Sequence, residues 1–369
     1  MRIHQICVAA TPGDAVGNQV LEIDARLRAW GFETCIYAQH IAPELASRVR
    51  PDCDYLPHLH AEEDLLIYHY GLYTPSVRYF QAAHGRRLFV YHNITPASYF
   101  RGWSRELELL CDIGRRTLPS LTGCDLAIGD SEYNRQELVA AGFPGEKTDV
   151  LPLFSQQSLF EAVPVDQALL ERLQAEGTVN FLTVGRVAPN KAIEDVIRIF
   201  YVYHRAINPR SRLYLVGPHH VPAYSTALEA LVANLGLGDA VRFPGRALGG
   251  TLKAYYQAAD LYLCASHHEG LCVPLVESMH FGLPILARKA AAVPETLGDA
   301  GVLFTRLGYV EVAEMAHLLL TDEALRSQVV AKQRERLQDL TPSRVEAKLR
   351  HILARLGFCL PEVRRPGRT

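Results

Sequence analysis

Short apolar runs alternate along this chain with longer amphipathic segments, and the series occurs twice. RIHQICVAA (2–10), TCIYAQ (34–39), LLIYHY (65–70), RLFVYHN (87–93) and DLAIGDS (125–131) read as buried strands. The helical stretch NQVLEIDARLRAWG between the first two carries Val20, Leu21, Leu27 and Trp30 and stops at Gly31. In SEYNRQELVAAGF, Ser131 is a cap and Gly142 a stop. The series restarts with VNFLTVGRV (179–187), RLYLVGP (212–218), AVRFPG (240–245), DLYLCAS (260–266), LPILARK (283–289) and GVLFT (301–305). Parallel strands cannot be joined by a tight turn and need crossovers of a dozen or more residues, usually helical. Near-continuous apolar strands separated by such crossovers predict an α/β fold of parallel sheets covered on both faces. Two series predict two doubly wound domains, residues 1–155 and 175–341, with 155–178 as the linker.

Composition narrows the function classes. A length of 369 residues fits two domains, and a net charge of −2 offers no global field for nucleic acid. The pairs Arg86-Arg87 and Arg115-Arg116 and the tail RRPGRT read as solvated surface; docking on an anionic membrane is the alternative for the two pairs. Eight cysteines without a CxxC pair, several in apolar runs, point to buried thiols in a reducing cytoplasm. The first residues lack a signal-peptide pattern, and no apolar stretch is long enough for a transmembrane helix. The close pairs His58/His60, His219/His220 and His267/His268 lack ligand spacing, so no metal is expected.

Ligands of such sheets bind beyond the carboxyl ends of the strands, which directs attention to the residues there. After the first strand, Gly13 and Gly17 flank a turn into a helix. That turn suits an anion, or equally a tight turn capped by Asp14 or Asn18. His92 closes the fourth strand, where a histidine can orient a hydroxyl or move a proton. In VGRVAPNKAIEDVI, Arg186 and Lys191 fit a diphosphate, although a loop also carries such charges for solubility. HHEGLCVPLVESMHFG adds Glu269 at a strand end, Gly270 for close backbone approach, and the amides of Leu271 and Cys272 at a helix start. Glu277 follows two helical turns later, placed to hold a pair of ribose hydroxyls.

With these motifs the whole chain resembles the retaining GT-B glycosyltransferases of family four. EGLCVPLVE matches that family's E-x7-E signature, VGRVAPNKAIEDVI its arginine/lysine diphosphate loop, and AVRFPGRALGGTLKAYYQAADLYLCAS its base-binding segment. SEYNRQEL and GDAVGNQ also match in type. The resemblance implies two Rossmann-like domains facing across a cleft, the first for the acceptor and the second for a nucleotide sugar. It also implies a final helix, 342–358, that crosses back to the first domain. Carried over, Glu269 contacts the donor sugar and Glu277 the ribose, while Arg186 and Lys191 neutralise the leaving diphosphate. Gly270, Leu271 and Cys272 hold phosphate and sugar, Phe243, Pro244 and Gly245 line the base pocket, and His92 lies near the reacting carbon. The family's N-terminal loop often has two adjacent glycines; here the second is Asp14, which leaves the phosphate contact of Gly13 and Gly17 open.

The implied chemistry is transfer of a hexosyl group from UDP-hexose or GDP-mannose to a hydroxyl of a glycan or lipid-linked acceptor. It proceeds with retention, without a metal or cofactor, on the cytoplasmic side. A nucleotide-sugar 2-epimerase of the same fold and a non-catalytic nucleotide-sugar-binding partner in glycan assembly are the rival readings. The E-x7-E match favours transfer over the first, and the complete set of charges speaks against the second.

Overall fold

A computed structural model describes residues 2–175, 177–305 and 308–358. The tail RRPGRT and Cys359 lie outside the described residues. The chain divides into two compact units. The first comprises 1–94, 110–154 and 343–369, and the second 95–109 and 155–342.

The first unit contains β1 (Arg2–Ala10), β2 (Glu33–Ile41), β3 (Val49–Pro51), β4 (Leu65–Tyr70), β5 (Arg86–Tyr91), β6 (Leu126–Gly129) and β7 (Thr148–Val150). They form one parallel sheet in the order β3-β2-β1-β4-β5-β6-β7. Every residue of LLIYHY is buried, as a central strand covered on both faces requires. Asp14 caps the helix Ala15–Ala29, accepting from the Val16 and Gly17 amides, and Ser131 caps Glu132–Ala140 through the Asn134 amide. On one face Val345, Leu349, Ile352 and Leu353 of the helix Pro342–Arg355 pack with Ile3, Leu65, Leu88 and Leu126. Four fully buried aliphatic side chains are worth about 6–12 kcal/mol as an upper bound, enough to hold this helix on the first unit.

The second unit contains β8 (Val179–Val184), β9 (Ser211–Val216), β10 (Val241–Gly245), β11 (Leu261–Cys264), β12 (Ile285–Arg288) and β13 (Val302–Phe304). Their parallel order is β10-β9-β8-β11-β12-β13. Counted within the unit this is 3-2-1-4-5-6, with its reversal between β8 and β11.

Two domain boundaries differ from the sequence reading. The stretch 155–178 is not a linker: it carries the helices Gln157–Ala162 and Gln167–Ala175, whose Phe160, Leu169 and Leu173 are buried in the second core. The first is too short to show a helical period, while the second does show one, with Leu169 and Leu173 four residues apart. Thr95–Leu109, read within the first domain, belongs to the second unit, where Trp103 packs edge-on against Tyr224 and Tyr99 stacks on His267. The strands β3 and β7, each three residues long, were not legible either.

Candidate active site

The topology of the second sheet brings two distant sequence motifs together. β8 and β11 are neighbours, and the chain leaves them in opposite directions. Lys191 comes from the segment after β8 and Glu269 from the segment after β11. Lys191 Nζ donates to both carboxylate oxygens of Glu269, each at 2.6 Å. The Glu269 side chain is 7% exposed and that of Lys191 20%, so the pair is held largely out of water yet reachable. Burial by itself would push the Glu269 carboxyl up, but the Lys191 charge and bonds from Lys191, Ser266 and Cys272 outweigh it, and the carboxyl lies below its ordinary range. The same balance, with burial opposing and Glu269 prevailing, raises Lys191. Both groups are therefore charged at neutral pH.

The loops beneath this pair are fixed by backbone and side-chain bonds. Asn190 Nδ2 donates to the His268 carbonyl at 3.2 Å, and the His267 amide donates to the Asn190 carbonyl at 2.9 Å. Arg288 on β12 donates to the Ala265 carbonyl at 2.8 Å and to Asp195 at 2.7 Å, tying the end of β11 to the helix Ile193–Val202. Thr296 donates to the Leu271 carbonyl. Ala192 (φ 48°) and Cys272 (φ 66°) both lie in the left-handed region, each as the residue before a helix. Non-glycine residues rarely take that conformation, and it sets the direction in which each helix leaves the site. Gly217 has no room for a side chain, because a Cβ there would lie 1.8 Å from the Gly185 carbonyl oxygen. The segments after β8 and β9 are thereby locked together, and Val187 pairs with His219 in a parallel bridge.

The remaining expected positions spread around this centre. Arg186 is exposed, and its charge acts on Lys191. A crevice is lined by Gly185, Arg186, Lys191, Cys264, Ser266 and Glu269, among others. Gly270 is half-buried, Leu271 and Cys272 are buried, and all three precede the helix Val273–His280. Glu277 in that helix is 3% exposed and accepts from Tyr256 Oη at 2.6 Å. Burial pushes its carboxyl up to about 7, with the Tyr256 hydrogen bond pulling the other way. Phe243, Pro244 and Gly245 lie on the edge strand β10, at an irregularity in its pairing, with the Phe243 ring 5.8 Å from that of His219.

In the first unit the expected positions have local tasks. Asn18 Oδ1 accepts from the Gly13 amide at 2.8 Å, and Gly13 has φ 79°. A Cβ on Gly17 would lie 2.4 Å from the Thr11 carbonyl oxygen. Both glycines thus serve the capped turn. His92 has a 1% exposed side chain with both ring nitrogens engaged. Nδ1 faces Asp130 at 3.0 Å and Nε2 faces His69 Nδ1 at 2.9 Å; His69 Nε2 continues to Gln5 Oε1 at 3.0 Å. Gln5 Nε2 closes the row on the Val20 carbonyl at 3.1 Å. A substrate contact by the His92 ring would require one of these bonds to open.

Sequence reasoning missed Asn190, Asp195, Arg288, Thr296 and Tyr256. Their partners lie far away in sequence, and only the sheet order brings them together. Arg288 did carry a signal, being a charge inside the apolar run LPILARK.

Residues 170–336 match the family model described as glycosyl transferases group 1. The Escherichia coli O-antigen chain mannosyltransferase B is 23% identical over 186 residues, covering 50% of this chain and 48% of that protein. The mannosylfructose-phosphate synthase of Agrobacterium fabrum is 34% identical over 123 residues, covering 32% of this chain and 27% of the synthase. The chain thus spans half or less of the length of these curated relatives. Anabaena HepE, crystallised in complex with UDP and glucose, superposes with a TM-score of 0.78 at 18% identity, over 96% of this chain and 99% of that one. The chain has the α/β fold of the GT-B glycosyltransferases.

Proposed function

We propose that the protein is a retaining glycosyltransferase that moves a hexosyl group from a nucleotide diphosphate sugar, UDP-hexose or GDP-mannose, to a hydroxyl of a glycan or lipid-linked acceptor. The observation that carries this reading is the Lys191–Glu269 pair, beside Arg186, at the reversal point of a nucleotide-type sheet. The names of the two curated relatives favour a mannosyl donor, and the HepE complex favours a UDP-sugar.

Departure of the nucleotide diphosphate is the demanding step, because a further negative charge develops on a diphosphate oxygen beside the two charges already there. Lys191 and Arg186 meet that charge, and the amides before the helix Val273–His280 add to it. As Lys191 turns toward the diphosphate, Glu269 is released from one of its donors and accepts from hydroxyls of the sugar. Glu277, ionised, accepts from the ribose. The two cations supply the compensation a metal ion gives elsewhere, so no metal enters this step. The acceptor hydroxyl attacks from the face the diphosphate leaves, and a departing phosphate oxygen takes its proton.

A thermal-shift screen of UDP, GDP and their sugars selects the donor, since a ligand at a hundred times its Kd stabilises by about 2.7 kcal/mol. Transfer from that donor to an acceptor panel then tests the activity. Scrambling of the sugar without any acceptor would contradict transfer and identify an epimerase.

A further inference from the structure

We propose that the first unit carries a divalent-cation site built from His4, His58 and Asp64. One ligand atom from each residue lies within 4.8 Å of the other two. The three come together from separate pieces of chain. His4 is on β1, Asp64 immediately precedes β4, and His58 ends the tight helical turn Asp52–His58. His4 pairs in register with Cys35 on β2 and Leu66 on β4, near the amino ends of those strands. The cluster is therefore remote from the strand ends where His92 and Gly13 lie, and the proposal stands apart from sugar transfer.

The donor set suits zinc or cobalt(II). Two imidazoles and a carboxylate form a three-ligand site that leaves a fourth position for water. With metal–ligand bonds of about 2.0–2.1 Å, ligand atoms on a tetrahedron are about 3.3 Å apart. His4 Nε2 and Asp64 Oδ2 are already 3.3 Å apart. The ring centroids of His4 and His58 are 4.5 Å apart, so a modest rotation of His58 completes the face.

The surroundings orient the ligands as metal sites require. The Arg2 amide donates to Asp64 Oδ1 at 2.7 Å, which leaves Oδ2 for the cation. Tyr37 Oη faces His4 Nδ1 at 3.5 Å, which favours Nε2 as the coordinating atom. The side chains of His4 and Asp64 are 2% and 12% exposed, and the rings of Tyr37 and Tyr55 wall the site. His58 is only half-buried and gives an entry path. A cation here would pin the connection between β3 and β4 onto β1.

Cobalt(II) titration of the chelator-stripped full chain tests the proposal. One equivalent should bind with the visible bands of tetrahedral cobalt and raise Tm, and zinc should displace it. His58→Ala or Asp64→Asn should abolish the bands, and Tyr37→Phe should weaken binding about tenfold. His58→Ala alters a half-buried residue that lies outside the sheet, so it keeps the test valid if His4 variants fail to fold. Absence of stoichiometric binding would overturn the site. So would thiolate-to-cobalt charge-transfer absorption that persists in His58→Ala, because it would place the ion at Cys264 and Cys272 instead.

Discussion

The two units share a topology but treat the carboxyl ends of their strands differently. In the first, polar groups bond to one another: Asp130 just after β6, His92 just after β5, His69 on β4 and Gln5 on β1 form a row, sealed at the Val20 carbonyl. In the second, the groups at the reversal point are full charges, partly reachable, with Arg186 exposed beside them. The backbone differs in the same sense. Of the non-glycine residues in the left-handed region among those described, Asn93 is in the first unit, while Ala192, Cys272 and Ala291 are in the second. Local strain is tolerated where the surrounding structure over-determines it, as it is around a site that must hold a ligand. A doubly wound sheet does not by itself make a charged ligand site; the groups placed at its switch point do.

Substitutions can break this contrast. The largest effect is expected from Lys191→Ala, which removes a cation from the developing diphosphate. The kcat should fall by about 10²–10³, measured as transfer from the donor found by screening. That variant also leaves Glu269 buried without its partner, which costs about 3–5 kcal/mol and is read by denaturant unfolding. Glu269→Gln in the Lys191→Ala background should restore much of the stability and none of the turnover.

The opposite pattern is expected in the first unit. His69→Ala leaves His92 and Gln5 each short of a partner and should cost about 1–3 kcal/mol in the same unfolding assay. The kcat of the folded variant should stay within a few-fold of wild type. A hundredfold loss of kcat without loss of stability would make the row part of the chemistry and erase the contrast.

Glu277 gives the comparison a pH signature. Its carboxyl is raised to about 7 in the folded protein, above its ordinary value. Its contribution to stability is therefore complete below the unfolded pKa and is lost as pH rises through about 7. For the proposed ribose contact the dependence runs the other way, since only the carboxylate accepts from two hydroxyls. Nucleotide affinity at pH 6 should be about tenfold weaker than at pH 8, measured by calorimetry, and Glu277→Gln should flatten the profile. The smallest effect is expected for Ala192→Gly, which relieves a left-handed alanine and should raise stability by less than about 1 kcal/mol.

Much of this was legible in the sequence where local rules dominate. The strand cores, the caps at Asp14 and Ser131 and the two-part series follow from hydrophobic period and helix-end chemistry. Glu269 and Lys191 were legible because each sits just beyond an apolar run. Their mutual bond was not, because it depends on β8 lying beside β11. The same limit hid the row from Gln5 to Asp130 and the convergence of His4 with His58, which neighbours in sequence such as His58 and His60 do not form. The helix Gln157–Ala162 is too short to show a period, whereas Gln167–Ala175 did carry one, with Leu169 and Leu173 four residues apart.

Calorimetric titration of UDP and GDP into the wild type, Lys191→Ala and His69→Ala tests the central claim most directly. One nucleoside diphosphate should bind the wild type and His69→Ala alike, and Lys191→Ala should bind it at least about tenfold more weakly, a loss of about 1.4 kcal/mol. Equal affinity in wild type and Lys191→Ala, or a loss confined to His69→Ala, would contradict the assignment of the second unit's switch point as the diphosphate site.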